Sequence, residues 1–161
     1  MNEQKTIDII SKGEYPSGVL SNFHPREFFV DGVKCASMEG FLQSLKTKNV
    51  SDQEKICALT GKEAKNYFHR KWNNLRWRLT GNLYWRGKII KRKGEEYQAL
   101  LLRAYDEMAK DEEFRLALKA TENAVLIHSI GKQSERKTVL TESEFIFQLV
   151  RIREKLERSE I

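Results

Sequence analysis

Over the first thirty-six residues, apolar positions come in short runs separated by turn formers. Thr6 to Ile10 is one such run. Gly13 to Pro25 follows, rich in glycine, serine and proline, and then two half-apolar stretches flank Asp31-Gly32. Asp-Gly between two such stretches predicts a tight hairpin turn, because both positions tolerate positive φ. At Ser37 the period changes: Met38, Phe41, Leu42 and Leu45 recur at three and four, which predicts a helix. Ser51 with Glu54, Thr60 with Glu63, and Thr141 with Glu144 have the spacing of capping boxes and predict three further helix starts. Tyr97, Leu101, Ala104, Tyr105 and Met108 form an amphipathic stripe, and Asp111 is placed to cap the segment holding Phe114 and Leu118. Ala124 to Ile127 is a short apolar run, and a last helix should turn Phe145, Ile146, Leu149, Ile152 and Leu156 inward. The sum is an α+β fold, helix-dominated, with a small sheet built largely from the N-terminal third.

A chain of 161 residues suffices for one core and is short for two, so residues 1–161 read as a single domain. The start MNEQKTIDII lacks an apolar stretch behind a basic head, and no long uninterrupted apolar segment follows. The expectation is a soluble, non-exported, cytoplasmic protein with no membrane partner. Cys35 and Cys57 have no partner at metal-site spacing and form no disulfide framework, in keeping with a reduced setting.

Charge changes the picture more than composition does. The net charge is +6, yet residues 62 to 93 hold eleven Lys or Arg against one acid, Glu63. That segment attracts phosphates and favours a polyanionic partner. Between His69 and Lys93, Trp72, Trp77, Tyr84 and Trp85 interleave with Arg70, Lys71, Arg76, Arg78, Arg86 and Lys88. Cations for phosphates and ring faces for bases are what a single-stranded nucleic-acid surface needs, although a solvated face with one or more core tryptophans has the same pattern.

On the helix opening at Ser37, Glu39, Gln43 and Lys46 fall at i, i+4 and i+7, along one stripe beside the apolar one. A carboxylate and an amine there can wall a pocket, where partial burial shifts both proton affinities; the same spacing also suits a plain surface pair. Neither a P-loop, a dinucleotide glycine motif, a metal-ligand set nor a serine-hydrolase elbow is present, so no metal or redox cofactor is expected and water is the second substrate.

Read together, SNFHP at 21–25 and DGVKCASMEGFLQSLK at 31–46 resemble the signature of the NADAR superfamily, which includes the YbiA-like N-glycosidases. That pattern is Ser-Asn-Phe, a strand hairpin, Ser-x-Glu, aromatics, Gln, a small residue and Lys. Ser21, Asn22, Phe23, Glu39, Phe41, Gln43 and Lys46 occupy its places, and LTGKEAK, LYWRGK, EEYQALLLRAYD and HSIGK extend the likeness over most of the chain.

The resemblance implies a NADAR/YbiA-like fold and an N-glycoside hydrolase. It is closest to the branch that removes ADP-ribose from guanine bases in DNA, some members of which are antitoxins beside a DNA ADP-ribosyltransferase toxin. The partner implied is ADP-ribosylated, single-stranded DNA. Gly40 stands where the YbiA-like branch has His, and HSIGK where that branch has Asp-x-x-Trp-Gly, which points away from that branch's phosphoribosylamino-pyrimidine substrates of riboflavin synthesis.

Glu39 would stabilise the oxocarbenium-like state or activate water, and Lys46 would protonate the leaving nitrogen or attack the anomeric carbon. Ser21, Asn22, Phe23, Gln43 and Trp85 would bind substrate, with Asn22 as a turn cap and Phe23 as core the plainer roles. His128, Ser129, Gly131 and Lys132 would meet the diphosphate, a surface turn with a core histidine being the alternative. A YbiA-like metabolite hydrolase and a non-catalytic ADP-ribose or nucleic-acid binding module are the competing functional readings.

Overall fold

The two-residue turn at Asp31-Gly32 forms as its sequence requires, with φ of 47° and 82°. In the computed structural model, which describes residues 3–159 and 161, this turn joins β2 (Phe28–Val30) to β3 (Val33–Cys35). A second turn of the same kind, Arg86-Gly87 at φ 49° and 87°, joins β4 (Asn82–Trp85) to β5 (Lys88–Lys91). β1 (Thr6–Asp8) pairs in parallel with the distant β6 (Val125–Ile127), Thr6 facing Val125 and Asp8 facing Ile127.

These are three separate two-stranded ladders, so the expected small sheet of the N-terminal third is corrected: only β2–β3 lies wholly there. The reason is local. Leu83, Trp85 and Ile90 turn into the core and pull the hairpin 82–91 together without an Asn-Gly or Asp-Gly signal, while β1 finds its partner in the apolar run at 125–127.

Around the ladders stand α1 (Ser17–Leu20), α2 (Met38–Ser44), α3 (Val50–Cys57), α4 (Gly61–Asn66), α5 (Trp72–Thr80), α6 (Glu95–Met108), α7 (Glu112–Ala120) and α8 (Glu142–Glu157). Helices thus dominate a mixed α+β fold, and one cluster of buried side chains from Ile9 to Leu156 forms its core. Tyr97, Leu101, Ala104, Tyr105 and Met108 of α6 and Phe145, Leu149, Ile152 and Leu156 of α8 are all buried, as their spacing predicts.

The caps are less uniform than their letters suggest. Thr141 and Glu144 form the reciprocal box on α8, and Asp111 accepts the Phe114 amide at 2.9 Å. Thr60 holds the cap position of α4, but its hydroxyl caps nothing. Ser51 lies inside α3, whose cap is Asn49, accepting from the Asp52 amide at 3.0 Å; the helix starts two residues before the Ser51–Glu54 spacing predicts because Asn49 already supplies an oxygen to a first-turn amide.

Ser37 caps α2, accepting from the Gly40 amide at 3.0 Å while donating to the Leu59 carbonyl at 2.7 Å. α2 rests directly on the end of α3. A Cβ at Gly40 would lie 2.7 Å from the Leu59 carbonyl oxygen and 2.8 Å from that of Ile56. That contact gives a physical reason for glycine beside Glu39, and it fixes the height at which α2 presents its polar stripe.

Among the described residues no helix is long and apolar enough to cross a membrane.

Candidate active site

The polar stripe of α2 forms one wall of a cleft of about 530 Å³. Glu39, Gln43 and Lys46 all line it, so their spacing serves a pocket and not an open surface. Lys46 and Gln43 are buried, and Glu39 keeps only an edge open on the cleft side. Gln43 Nε2 donates to Glu39 Oε1 at 2.9 Å, and Lys46 Nζ donates to Asn74 Oδ1 at 2.8 Å.

Burial pushes the Glu39 carboxyl above its usual range, against the opposing pull of the Gln43 hydrogen bond and the charges of Lys46, Lys65 and His128. The same burial pushes the Lys46 amine down to about 8; Glu39 draws it back up, and Arg78 and Lys132 press it further down. The carboxyl and the amine thus move toward each other, which is the condition for exchanging protons near neutrality.

The loop after α1 supplies the adjacent wall with Ser21, Asn22 and Phe23. It is tied to α2 by the Glu39 amide, which donates to the Asn22 carbonyl at 3.0 Å. The buried Tyr105 hydroxyl donates to Asn22 Oδ1 at 2.9 Å, which leaves the Asn22 amide hydrogens for the cleft. Ser21 Oγ accepts the Phe23 amide at 3.2 Å, and Lys65 Nζ stands 5.6 Å over the Phe23 ring.

Opposite lies the loop after β6. His128 Nδ1 meets the Ile9 carbonyl at 2.6 Å, and its ring stands edge-on to Phe145 at 5.1 Å. It is half-buried and lines the cleft. Gly131 is required by packing, since a Cβ there would come 2.6 Å from the His128 ring. Glu142 gathers this loop, accepting from the His128 amide at 3.3 Å and from Gln133 Nε2 at 2.6 Å. Lys132 stands at its rim.

A third wall, Thr138 to Leu140, is held from behind. Buried Arg92 makes a two-pronged contact with Glu144 at 3.1 and 2.5 Å and donates to the Thr138 carbonyl at 3.0 Å, while the Tyr97 hydroxyl donates to the Val139 carbonyl.

Several residues expected at the site lie elsewhere. Trp85 is core: its ring is buried edge-on against Phe41 at 5.1 Å, and its Nε1 donates to Asp31 at 2.8 Å. Ser129 turns away from the cleft to Asp8, its amide donating at 3.0 Å.

The basic segment also divides. Arg78 enters the cleft, while Arg76 stacks over Tyr84 at 5.4 Å and Lys71 over Tyr67 at 4.1 Å. Arg86 reaches the Asp31 carbonyl, and Arg70 and Lys88 are exposed outside the cleft. Trp77 is buried in the core, and Trp72 is 61% exposed on the outer face of α5. Of the six, Arg70, Lys71, Arg76 and Arg78 lie on or just before α5, and Arg86 and Lys88 on the β4–β5 hairpin.

What sequence reading missed is the polar and cationic lining from other elements: Lys62, Lys65 and His69 around α4, Asn74 on α5, and Lys137 before α8. Asn74 and Arg78 at i, i+4 repeat the spacing of Glu39 and Gln43, a signal hidden within the general charge of the segment. With Lys46, Arg78 and Lys132, the described residues lining the cleft include six lysines and arginines against one carboxylate, Glu39. Among the described residues no cluster of His, Cys, Asp or Glu is placed to hold a metal.

The sequence profile of the family described as Bacteriophage protein GP30.3 matches residues 14–154. A 17.1 kDa protein of the Gp30–rIII intergenic region of Enterobacteria phage T4 is 38% identical over 152 residues, covering 93% of this chain and 98% of its own. Among solved structures, the NMR structure of the E. coli protein YbiA superposes with a TM-score of 0.62 at 17% identity, covering 99% of this chain and 89% of that one. At that identity the likeness is one of fold.

Proposed function

The chain belongs to the Bacteriophage protein GP30.3 family, and from that membership and the YbiA-like fold we propose an N-glycoside hydrolase that removes ADP-ribose from guanine bases in DNA. The observation that carries this reading is the pairing of Glu39 and Lys46 in one cleft whose remaining charged lining is cationic. A ribosyl C–N bond breaks through an oxocarbenium-like state, which needs a carboxylate near the anomeric carbon and an acid near the departing nitrogen. A diphosphate-bearing substrate needs cations around it, and a cleft of about 530 Å³ is of ligand size.

The steps balance with these two groups. Glu39 takes a proton from water as its oxygen bonds to the anomeric carbon. The C–N bond breaks, its electron pair goes to the base nitrogen, and Lys46 donates the proton that completes the amine. The products are ADP-ribose and the unmodified base, and passage of the proton from Glu39 to Lys46 restores both groups. With its amine at about 8, Lys46 is largely protonated at pH 7 and enters the cycle as the acid. Lys132, Lys137, His128 and Gly131 are assigned to the diphosphate, and Phe23 and Asn22 to the base.

The test is incubation with guanine-ADP-ribosylated single-stranded DNA, following free ADP-ribose and the restored oligonucleotide, beside Glu39→Gln. Release by the wild type and none by the variant supports the reading. An intact adduct with both proteins sinks it; turnover of a phosphoribosylamino-pyrimidine would then identify a metabolite hydrolase, and retained binding without turnover a binding module.

A further inference from the structure

We propose that Asn74 is a positioning residue that aims Lys46 at the leaving group, an inference that rests on the glycosidase reading for its catalytic meaning. The amide of Asn74 has one orientation available to it. Its Nδ2 donates to the Phe68 carbonyl at 2.7 Å, so its Oδ1 faces Lys46 Nζ at 2.8 Å.

α5 also grips the other end of the same residue. Asn73 Nδ2 donates to the Lys46 carbonyl at 3.2 Å, and Arg76 donates to it at 3.4 Å. Lys46 is therefore clamped at both its backbone and its ammonium by three neighbouring positions of one helix. A long flexible side chain loses its rotamer freedom there before substrate arrives, which is what precise proton delivery requires.

The contact at the ammonium is neutral, and that matters for the chemistry. A carboxylate in place of Asn74 would still accept from the ammonium, but it would lose the bond to the Phe68 carbonyl and make the ammonium a weaker acid. An amide fixes one of the three N–H groups, leaves two for the cleft, and adds no charge. The charged groups facing Lys46 are Glu39 from its own helix, Arg78 from α5 and Lys132 from the loop after β6, so the balance is set by those three with Asn74 as the mechanical stop.

The experiment compares wild type, Asn74→Leu and Asn74→Asp by three readouts: Lys46 side-chain titration by NMR without substrate, the pH profile of turnover, and thermal stability. Asn74→Leu is expected to lower kcat on the order of tenfold or more with KM within about threefold, and to move the Lys46 titration and the alkaline limb of the profile down together. Asn74→Asp should move both up while losing the bond to the Phe68 carbonyl. A fall in Tm with Lys46 titration and the alkaline limb unchanged would overturn the inference and leave Asn74 as packing. Should Lys46 titration follow residue 74 while the wild type turns over no ADP-ribosylated DNA, the clamp stands and the functional reading falls.

Discussion

Gln43 Nε2 donates to Glu39 Oε1 across one turn of α2 at 2.9 Å, while no side chain or backbone group among the described residues donates to the other end of the same amide, Gln43 Oε1. Removing one partner of a buried acceptor costs about 1–3 kcal/mol, and the Glu39 oxygen takes its side-chain donor from Gln43. Gln43→Met should therefore lower unfolding free energy by about 1 kcal/mol, read from denaturant midpoints at constant slope, and should lower turnover. An equal or higher stability would show that the bond to Glu39 contributes nothing to folding.

Lys46 makes stability depend on pH in a stated direction. Its amine titrates at about 8 in the folded chain against an ordinary 10.5. Between those values the unfolded chain binds more protons, so stability rises with pH across the window and the penalty is fully present below it. The difference corresponds to about 3 kcal/mol. Lys46→Met should be more stable than the wild type near pH 7, and its advantage should shrink as pH climbs through 8 toward 10. Parallel stability curves for the two proteins would refute the burial argument.

Gly40 is where α2 meets the carbonyl end of α3, with 2.7 and 2.8 Å left for any Cβ. Backbone oxygens cannot swing aside as a side-chain tip can. Gly40→Ala should therefore destabilise by about 3 kcal/mol, although alanine is the better helix former, and should lower activity by tilting Glu39. A stability gain in thermal melts would contradict the packing argument.

Trp85 stands behind the hairpin, not in the cleft. Trp85→Phe removes the bond to Asp31 and part of the edge contact with Phe41. The expected result is a loss of about 2 kcal/mol in stability with KM changed less than about twofold. A large rise in KM at unchanged stability would return Trp85 to the substrate.

Much of the fold was legible in the letters because the rules involved act over a few residues. The stripes of α2, α6 and α8 follow from apolar spacing, the Asp31-Gly32 turn from tolerance of positive φ, and the caps at Asp111 and Thr141 from oxygens that reach amides three positions on. That Glu39, Gln43 and Lys46 share one helix stripe was equally local.

What only the tertiary structure decided is what faces that stripe. β1 pairs with a strand more than a hundred residues later, and this brings the 128–132 loop over α2. α4 and α5 then supply Lys62, Lys65, Asn74 and Arg78, while Arg86 and Lys88 of the same basic run, on the β4–β5 hairpin, are not among the residues lining the cleft. Periodicity tells which side of an element is buried; it contains no information on which remote side chain will stand opposite. Local hydrogen bonding and sterics thus set the helix and its polar edge, and long-range packing of apolar faces chose the cations around Glu39 and the amide against Lys46.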